Sequence, residues 1–546
     1  MPSKRLDSKY KKTNGVVYTP KWIVETILNH IGYYSNNQIY SKKIIDPACG
    51  DGAFLTIVVD RFIKCAINEG IPKKKIKELI ENNIWGIDID NNAILQCERN
   101  LNNIAKKYGL ENIKWKLINK DTTESWIYGL FGKFDYVVGN PPYIRIQNLS
   151  KNKRKTIQNL WKTCGKGSTD IYIAFFEIGY YLMNKNGILG YITPNTYTKT
   201  MAGKELRCFI KNKKILKELI DFKHHQIFKD ATTYSIITIL SKSHNSEIFK
   251  LYYGDSDGNI SFVDYININD LNDNNWILCP KDILLKINEI EKRGLPLGKI
   301  ADIHVGITTL ADDYYIFENP KFDGNIAEIK LKDGRTFKIE KDILKPIVKV
   351  STLKSPDDCQ NRYIIFPYKL INGKYSIIPE NELKNNYPLT YNYFTEIKDI
   401  LLARDKGKKN PVAWYAFGRS QGLDTSFGKK ILTAPMNKKP NFIVWEKEEY
   451  TFYSGYCIKF DGDLQELAKE LNSSDMEFYI NNVSRCYQNG YKSYSKTYIK
   501  NYGISNHNII KSNISSKSKL NDDEGNTHKK HIYKNYKGTL LDYLNG

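Results

Sequence analysis

The sequence is most informative first in what it withholds. Its nine cysteines include no Cys-x-x-Cys pair and no His/Cys cluster at metal-ligand spacing. An odd, scattered set of thiols points to a reduced compartment and away from a zinc site, so no metal is expected. No long hydrophobic run is present; the longest apolar block, Ile171 to Met183, is interrupted by Glu177 and too short to cross a bilayer. The start, Met1 to Lys12, is basic and polar with no apolar signal region behind it. A cytoplasmic protein without a membrane partner is the expectation. Neither Gly-x-Gly-x-x-Gly nor a P-loop Gly-Lys-Ser/Thr occurs, which disfavours a dinucleotide or a triphosphate as ligand.

What is present is charge of one sign. The 546 residues carry a formal net charge of +22, with 82 Lys and Arg against 60 Asp and Glu, a balance suited to a polyanionic partner. Length allows two or three domains with sizeable cores. Abundant Lys, Asn, Ile and Tyr also fit an A/T-rich coding bias, so charge alone separates neither DNA from RNA nor function from composition.

Four segments carry chemistry. Thr19-Pro20 precedes helically spaced apolar residues from Trp22, with Thr19 expected as N-cap and Pro20 as first helical residue. Ile44-Ile45-Asp46 reads as a strand running into Pro47-Ala48-Cys49-Gly50-Asp51-Gly52 and then a helix, a βα unit whose glycines let backbone approach a ligand. Ile84 to Asp90 reads as a second strand, with Asp88 placed for ribose hydroxyls and Asp90 as helix cap. Trp115 to Asp121 reads as a third, ending in an acid that suits an adenine amino group.

The fourth segment is Gly139-Asn140-Pro141-Pro142-Tyr143, after the apolar run Phe134 to Val138. Two prolines cannot donate to a sheet ladder or enter a helix interior, so the chain must leave the sheet in a stiff turn. An amide oxygen, a proline carbonyl and an aromatic ring at a strand end suit a flat heterocycle bearing an amino group. Further strands are expected at Ile188 to Pro194, Ile215 to Phe222 and Tyr234 to Leu240, giving a doubly wound α/β domain.

In this order the segments resemble the γ-class adenine-N6 DNA methyltransferases of TaqI type, over roughly Gly15 to Ser243. The resemblance implies a Rossmann-like, S-adenosyl-L-methionine-dependent domain. Tyr18, Thr19, Pro20 and the loop Asp46, Pro47, Ala48, Cys49, Gly50 and Gly52 would hold the cofactor's methionine part, Asp88 its ribose and Asp121 its adenine. Asn140, also beside the cofactor, and Pro141 would bind the target amine. Tyr143 would stack on the flipped base and Phe228 on its other face. Asn-Pro-Pro-Tyr also recurs in protein-glutamine and RNA methyltransferases, and a non-catalytic DNA-binding regulator is a further alternative.

The expected division is 1–245 for the methyltransferase, 246–294 for a junction, and 295–546 for a mixed α+β DNA target-recognition domain, with a polar, flexible segment at 511–535. Pro296 to Ile307 resembles the opening of such a domain. Arg404 to Lys409, Trp414-Tyr415, Arg419-Ser420-Gln421, Asn437 to Lys439 and Tyr487 to Tyr498 interleave bases with aromatics and amides, as phosphate contact and base readout require. The basic run Lys151 to Lys166 is either a backbone clamp or a mobile loop. The stretch before Gly15 is too short for a nuclease. Double-stranded DNA is the expected partner, and a cognate restriction endonuclease acting on the same site is a further candidate. A monomer is expected.

Overall fold

The computed structural model describes residues 19–165, 169–228, 233–358, 360–485, 487–506 and 509. Tyr18 and the segment 511–535 lie outside the described residues. The chain divides into two compact units between Leu285 and Lys286.

The first unit is built on nine strands: β1 (Ile44–Asp46), β2 (Ile84–Asp88), β3 (Lys116–Asn119), β4 (Phe134–Gly139), β5 (Met183–Pro194), β6 (Leu216–Asp221), β7 (Ser235–Ser241), β8 (Ile248–Gly254) and β9 (Ile260–Asn267). Their order is β3-β2-β1-β4-β5-β7-β6-β8-β9. The first five positions are parallel, and β7 runs antiparallel between β5 and β6. The central strands are largely apolar because helices cover both faces. On one face lie α1 (Lys21–His30), α2 (Ala53–Asn68), α3 (Lys73–Asn83) and α4 (Asn91–Lys106), whose Ile27, Leu55, Ile80 and Leu101 share a core with Val138, Ile192 and Ile239. α6 (Tyr172–Leu182) packs against β5, buried along almost its whole length. This is the doubly wound sheet the sequence implies.

The topology locates the site. From β1 the chain proceeds to β2 and β3 on one side, then returns to β4 on the other. The crevice at such a reversal opens at the carboxyl ends of β1 and β4, where Asp46 and Asn140 lie.

Three expectations need correction. The sheet does not end near Ser243: β8 pairs in parallel with β6, and β9 pairs antiparallel with β8, so most of the supposed junction 246–294 belongs to the first unit. Residues 255–259 form the turn between those two strands. β3 stops at Asn119, leaving Asp121 in the turn beyond it. Lys151–Leu160 is a helix, α5, capped by the Ser150 hydroxyl and seated by Ile157, rather than a loop.

The second unit is a mixed α+β structure of short strands. One four-stranded sheet contains Asp302–Val305, Tyr456–Lys459, Lys430–Thr433 and Ile443–Trp445; another contains Ile316–Glu318, Arg362–Ile365, Leu344–Lys349 and Thr451–Tyr453. Aromatics supply much of its core, among them Tyr315, Tyr393, Phe394 and Phe417.

Candidate active site

Asp46 closes β1 and is 1% exposed. Its Oδ1 accepts from the Ala48 N–H at 3.0 Å, and it has no ion-pair partner among the described residues. Burial, reinforced by Asp88 and only partly offset by the Ala48 bond, pushes its carboxyl up to about 8. Gly139 makes this burial possible: at φ +154°, a Cβ there would lie 2.6 Å from Asp46 Oδ1.

Asp88, at the end of β2, accepts from Gly50 N–H and Asp90 N–H, both at 2.9 Å, fixing the glycine-rich loop against the second strand. Gly50 and Gly52 have positive φ, as the tight turn requires. Burial raises the Asp88 carboxyl, although both backbone bonds oppose it. Asp90 caps α4 through the Asn92 N–H, as expected.

Asp121 is held more tightly than its sequence suggests. Thr123 donates to Oδ1 through both its N–H (2.8 Å) and its hydroxyl (2.6 Å). Lys153 of α5 pairs with Oδ2 at 2.5 Å and also reaches Glu124 at 3.2 Å. Burial alone would raise this carboxyl, but Lys153 and Thr123 outweigh it and bring it below the ordinary range. The Thr122 hydroxyl donates to the Pro47 carbonyl at 2.6 Å, tying this turn to the first loop. Neither Thr122 nor Lys153 was singled out by pattern, because their partners lie far away in sequence.

At the end of β4, Asn140 Nδ2 donates to Thr19 Oγ1 at 3.1 Å, and the Tyr143 hydroxyl donates to Asn140 Oδ1 at 2.6 Å. Thr19 is therefore not the expected helix cap. Pro20 occupies the N-cap position of α1 without a side-chain cap bond, and the Thr19 hydroxyl faces the Asn-Pro-Pro-Tyr turn instead.

Tyr143 lies 6.5 Å from Phe228 between ring centroids, at 69°, and 6.2 Å from Tyr172, at 78°. The sequence-expected pair is brought together, but edge to face. A base held between two rings requires them parallel, so one ring must turn on its entry. Tyr172, missed in the sequence, completes the aromatic cluster, and its hydroxyl shares a 3.1 Å hydrogen bond with that of Thr196.

In the second unit several candidate contacts have structural roles. Tyr415 is buried and donates to the Ile378 carbonyl at 2.6 Å. The Arg404 guanidinium donates to the carbonyls of Leu401, Thr309, Ala416 and Trp414, which removes it from phosphate binding. Arg419, Gln421, Tyr487 and Tyr491 are exposed. Arg419 pairs with Asp405 at 3.2 Å, and Gln421 donates to the Thr308 hydroxyl at 3.2 Å.

Acidic side chains thus lie around the carboxyl ends of three adjacent parallel strands, next to an Asn-Pro-Pro-Tyr turn. Residues 82–228 match the Eco57I restriction-modification methylase family. It is 29% identical over 485 residues to the type II restriction enzyme and methyltransferase RM.Eco57I of Escherichia coli, covering 75% of this chain but only 48% of that protein. It thus spans about half that relative's length. It is 25% identical over 520 residues to the type II methyltransferase M.BstVI of Geobacillus stearothermophilus, covering 86% of each. The type IIL restriction-modification enzyme MmeI, solved in complex with DNA, shares the fold at a TM-score of 0.56 and 14% identity, over 88% of this chain and 65% of that one.

Members of the family use S-adenosylmethionine. The site fits such a ligand: Asp46 is a buried carboxyl group with no cation beside it among the described residues, and a Cβ on Gly50 would meet nothing within 4 Å, leaving that turn open to a ligand. Among the described residues no helix is long and apolar enough to cross a membrane.

Proposed function

We propose that this chain transfers a methyl group from S-adenosylmethionine to the N6 amino group of adenine in double-stranded DNA, as the modification activity of a restriction-modification system whose endonuclease acts on the same site. The observation that carries this reading is the Asn140 amide, held on its nitrogen side by Thr19 with its oxygen toward the Tyr143 hydroxyl, at the strand end beside buried Asp46.

Asp46 and the loop to Gly52 would hold the cofactor's amino-acid part, Asp88 its ribose and Asp121 its adenine amino group. Asp121 keeps an acceptor position on Oδ2 beside Lys153. When bound, the cofactor supplies an electrophilic sulfonium methyl.

The chain's own residues prepare the nucleophile. An exocyclic adenine amine is weakly nucleophilic because its lone pair is delocalised into the ring. Asn140 Oδ1 and the Pro141 carbonyl accept hydrogen bonds from its two N–H groups, drawing the nitrogen toward tetrahedral geometry and freeing the lone pair. This is catalysis by positioning and fixed dipoles, without a strong base. The base leaves the duplex at a cost of a few kcal/mol, which stacking on Tyr143 partly offsets. The exposed Arg419 and Gln421 suit readout of base edges in the groove.

The test is expression in a methylation-free host followed by single-molecule mapping of modified bases. N6-methyladenine within one recurrent motif is expected. An unmodified genome would turn the assignment toward RNA or protein glutamine.

A further inference from the structure

Asn140 must present its oxygen, not its nitrogen, to the target amine, yet the two ends of a carboxamide are nearly the same size and a half-turn exchanges them. Two hydroxyls contact the amide, one at each end. Tyr143 donates to Oδ1, but that is the atom the amine requires, so this bond yields as the base enters. What remains is Thr19, which accepts from Nδ2 at 3.1 Å across 121 residues of sequence.

Thr19 is built for that task. It is 4% exposed, and its hydroxyl does not cap α1. Its place is set by the seating of α1 on β5, where Gly190 permits close approach: a Cβ there would lie 2.6 Å from Ile27 Cγ2.

We infer that Thr19 is a positioning residue for methyl transfer, acting through Asn140 rather than through the cofactor; this rests on the reaction proposed above. A bond donated by Nδ2 anchors the amide at its nitrogen end. It also polarises the amide, making Oδ1 the better acceptor.

The experiment compares wild type, Thr19→Val and Thr19→Ser as full-length proteins. Single-turnover methyl incorporation into duplex DNA is measured at saturating cofactor, and affinity for S-adenosylhomocysteine is measured by calorimetry. Thr19→Val, nearly isosteric but unable to accept, is expected to slow transfer about tenfold or more while leaving that affinity within about threefold. Thr19→Ser is expected to restore transfer. Should Thr19→Val melt early, Thr19→Ala is read in the same way. A wild-type transfer rate in the valine or alanine variant overturns the inference. So does a loss of affinity with an unchanged saturating rate, which would make Thr19 a cofactor contact. A wild-type protein that methylates no DNA overturns the proposed function instead, and the two failures are distinct.

Discussion

Gly139 and Asp46 occupy adjoining space: a Cβ on the glycine would lie 2.6 Å from Oδ1 of the aspartate. β1 and β4 pair in parallel through Ile44–Tyr136 and Ile45–Val137, so their ends converge on one point. The glycine at φ +154° lets the carboxylate sit directly beneath the start of the Asn-Pro-Pro-Tyr turn. The residue proposed to meet the cofactor's ammonium and the turn proposed to hold the target amine are thereby neighbours.

Gly139→Ala is accordingly expected to damage both functions. The added methyl must displace Asp46 or the turn, and an alanine is strained at that φ, at a cost of about 1–3 kcal/mol. Thermal melting should fall, and S-adenosylhomocysteine binding should weaken with it. A variant with wild-type melting and wild-type affinity would show that the two groups are not coupled.

The Asp46 carboxyl gives a pH signature. Held up to about 8 without ligand, it is largely protonated at neutral pH, and a cationic ligand favours its ionised form. Affinity for the cofactor's ammonium is therefore expected to rise with pH toward 8, by up to about tenfold per unit, and to level off above. Titration calorimetry between pH 6 and 9 measures this, with proton release on binding below pH 8. Asp46→Asn should abolish the slope; a slope that survives in Asp46→Asn assigns it to another group.

Arg207 offers a test of the scaffold. Its buried guanidinium donates to the carbonyls of Tyr197, Thr200, Asp273 and Asn274, joining the segment after β5 to that after β9. Arg207→Met leaves those acceptors without their donor and is expected to cost about 3–5 kcal/mol in denaturant unfolding. Arg207→Lys should recover little, since one ammonium cannot span the set.

In the second unit Lys430 is fully buried and donates to the carbonyls of Gly428 and Tyr450, both at 2.8 Å. Burial, aided by neighbouring Lys459, pushes it down to about 7. Above that value the unfolded chain holds a proton that the folded chain does not, until the ordinary lysine range near 10.5 is reached. Stability contributed by this group therefore rises with pH across that window. Lys430→Met should be less sensitive than wild type when urea unfolding is compared at pH 7 and 9; equal sensitivity would assign the effect elsewhere.

Local patterns made the first unit legible. Apolar runs ending at Asp46 and before Gly139 located two strand ends, because a buried parallel strand leaves little choice of residue and its terminus is marked by acid or glycine; the second strand, read as Ile84 to Asp90, stops two residues sooner, at Asp88. What was illegible depended on distant partners. Thr19 looks like a helix cap until Asn140 is placed beside it, and Asp121 looks open until Lys153 arrives from α5. Tyr415 and Arg404 carry the residue types of a DNA-reading surface, yet one is core and the other a carbonyl clamp, since interleaved aromatics and bases serve packing equally well. β8 and β9 are hard to read because Ile248, Phe262 and Tyr265 face outward, so apolar residues fall on both faces and no strong period results.

The central claim is that Asn140 presents a methyl-accepting adenine. The most direct measurement incubates wild type and Asn140→Ala with S-adenosylmethionine and duplex DNA containing the mapped motif, then analyses the nucleosides by mass spectrometry, with S-adenosylhomocysteine affinity measured in parallel. Expected are N6-methyldeoxyadenosine from the wild type and a loss of at least about a hundredfold in Asn140→Ala, with cofactor affinity retained. Near-normal methylation by Asn140→Ala, or methylation of cytosine in place of adenine by the wild type, would contradict it.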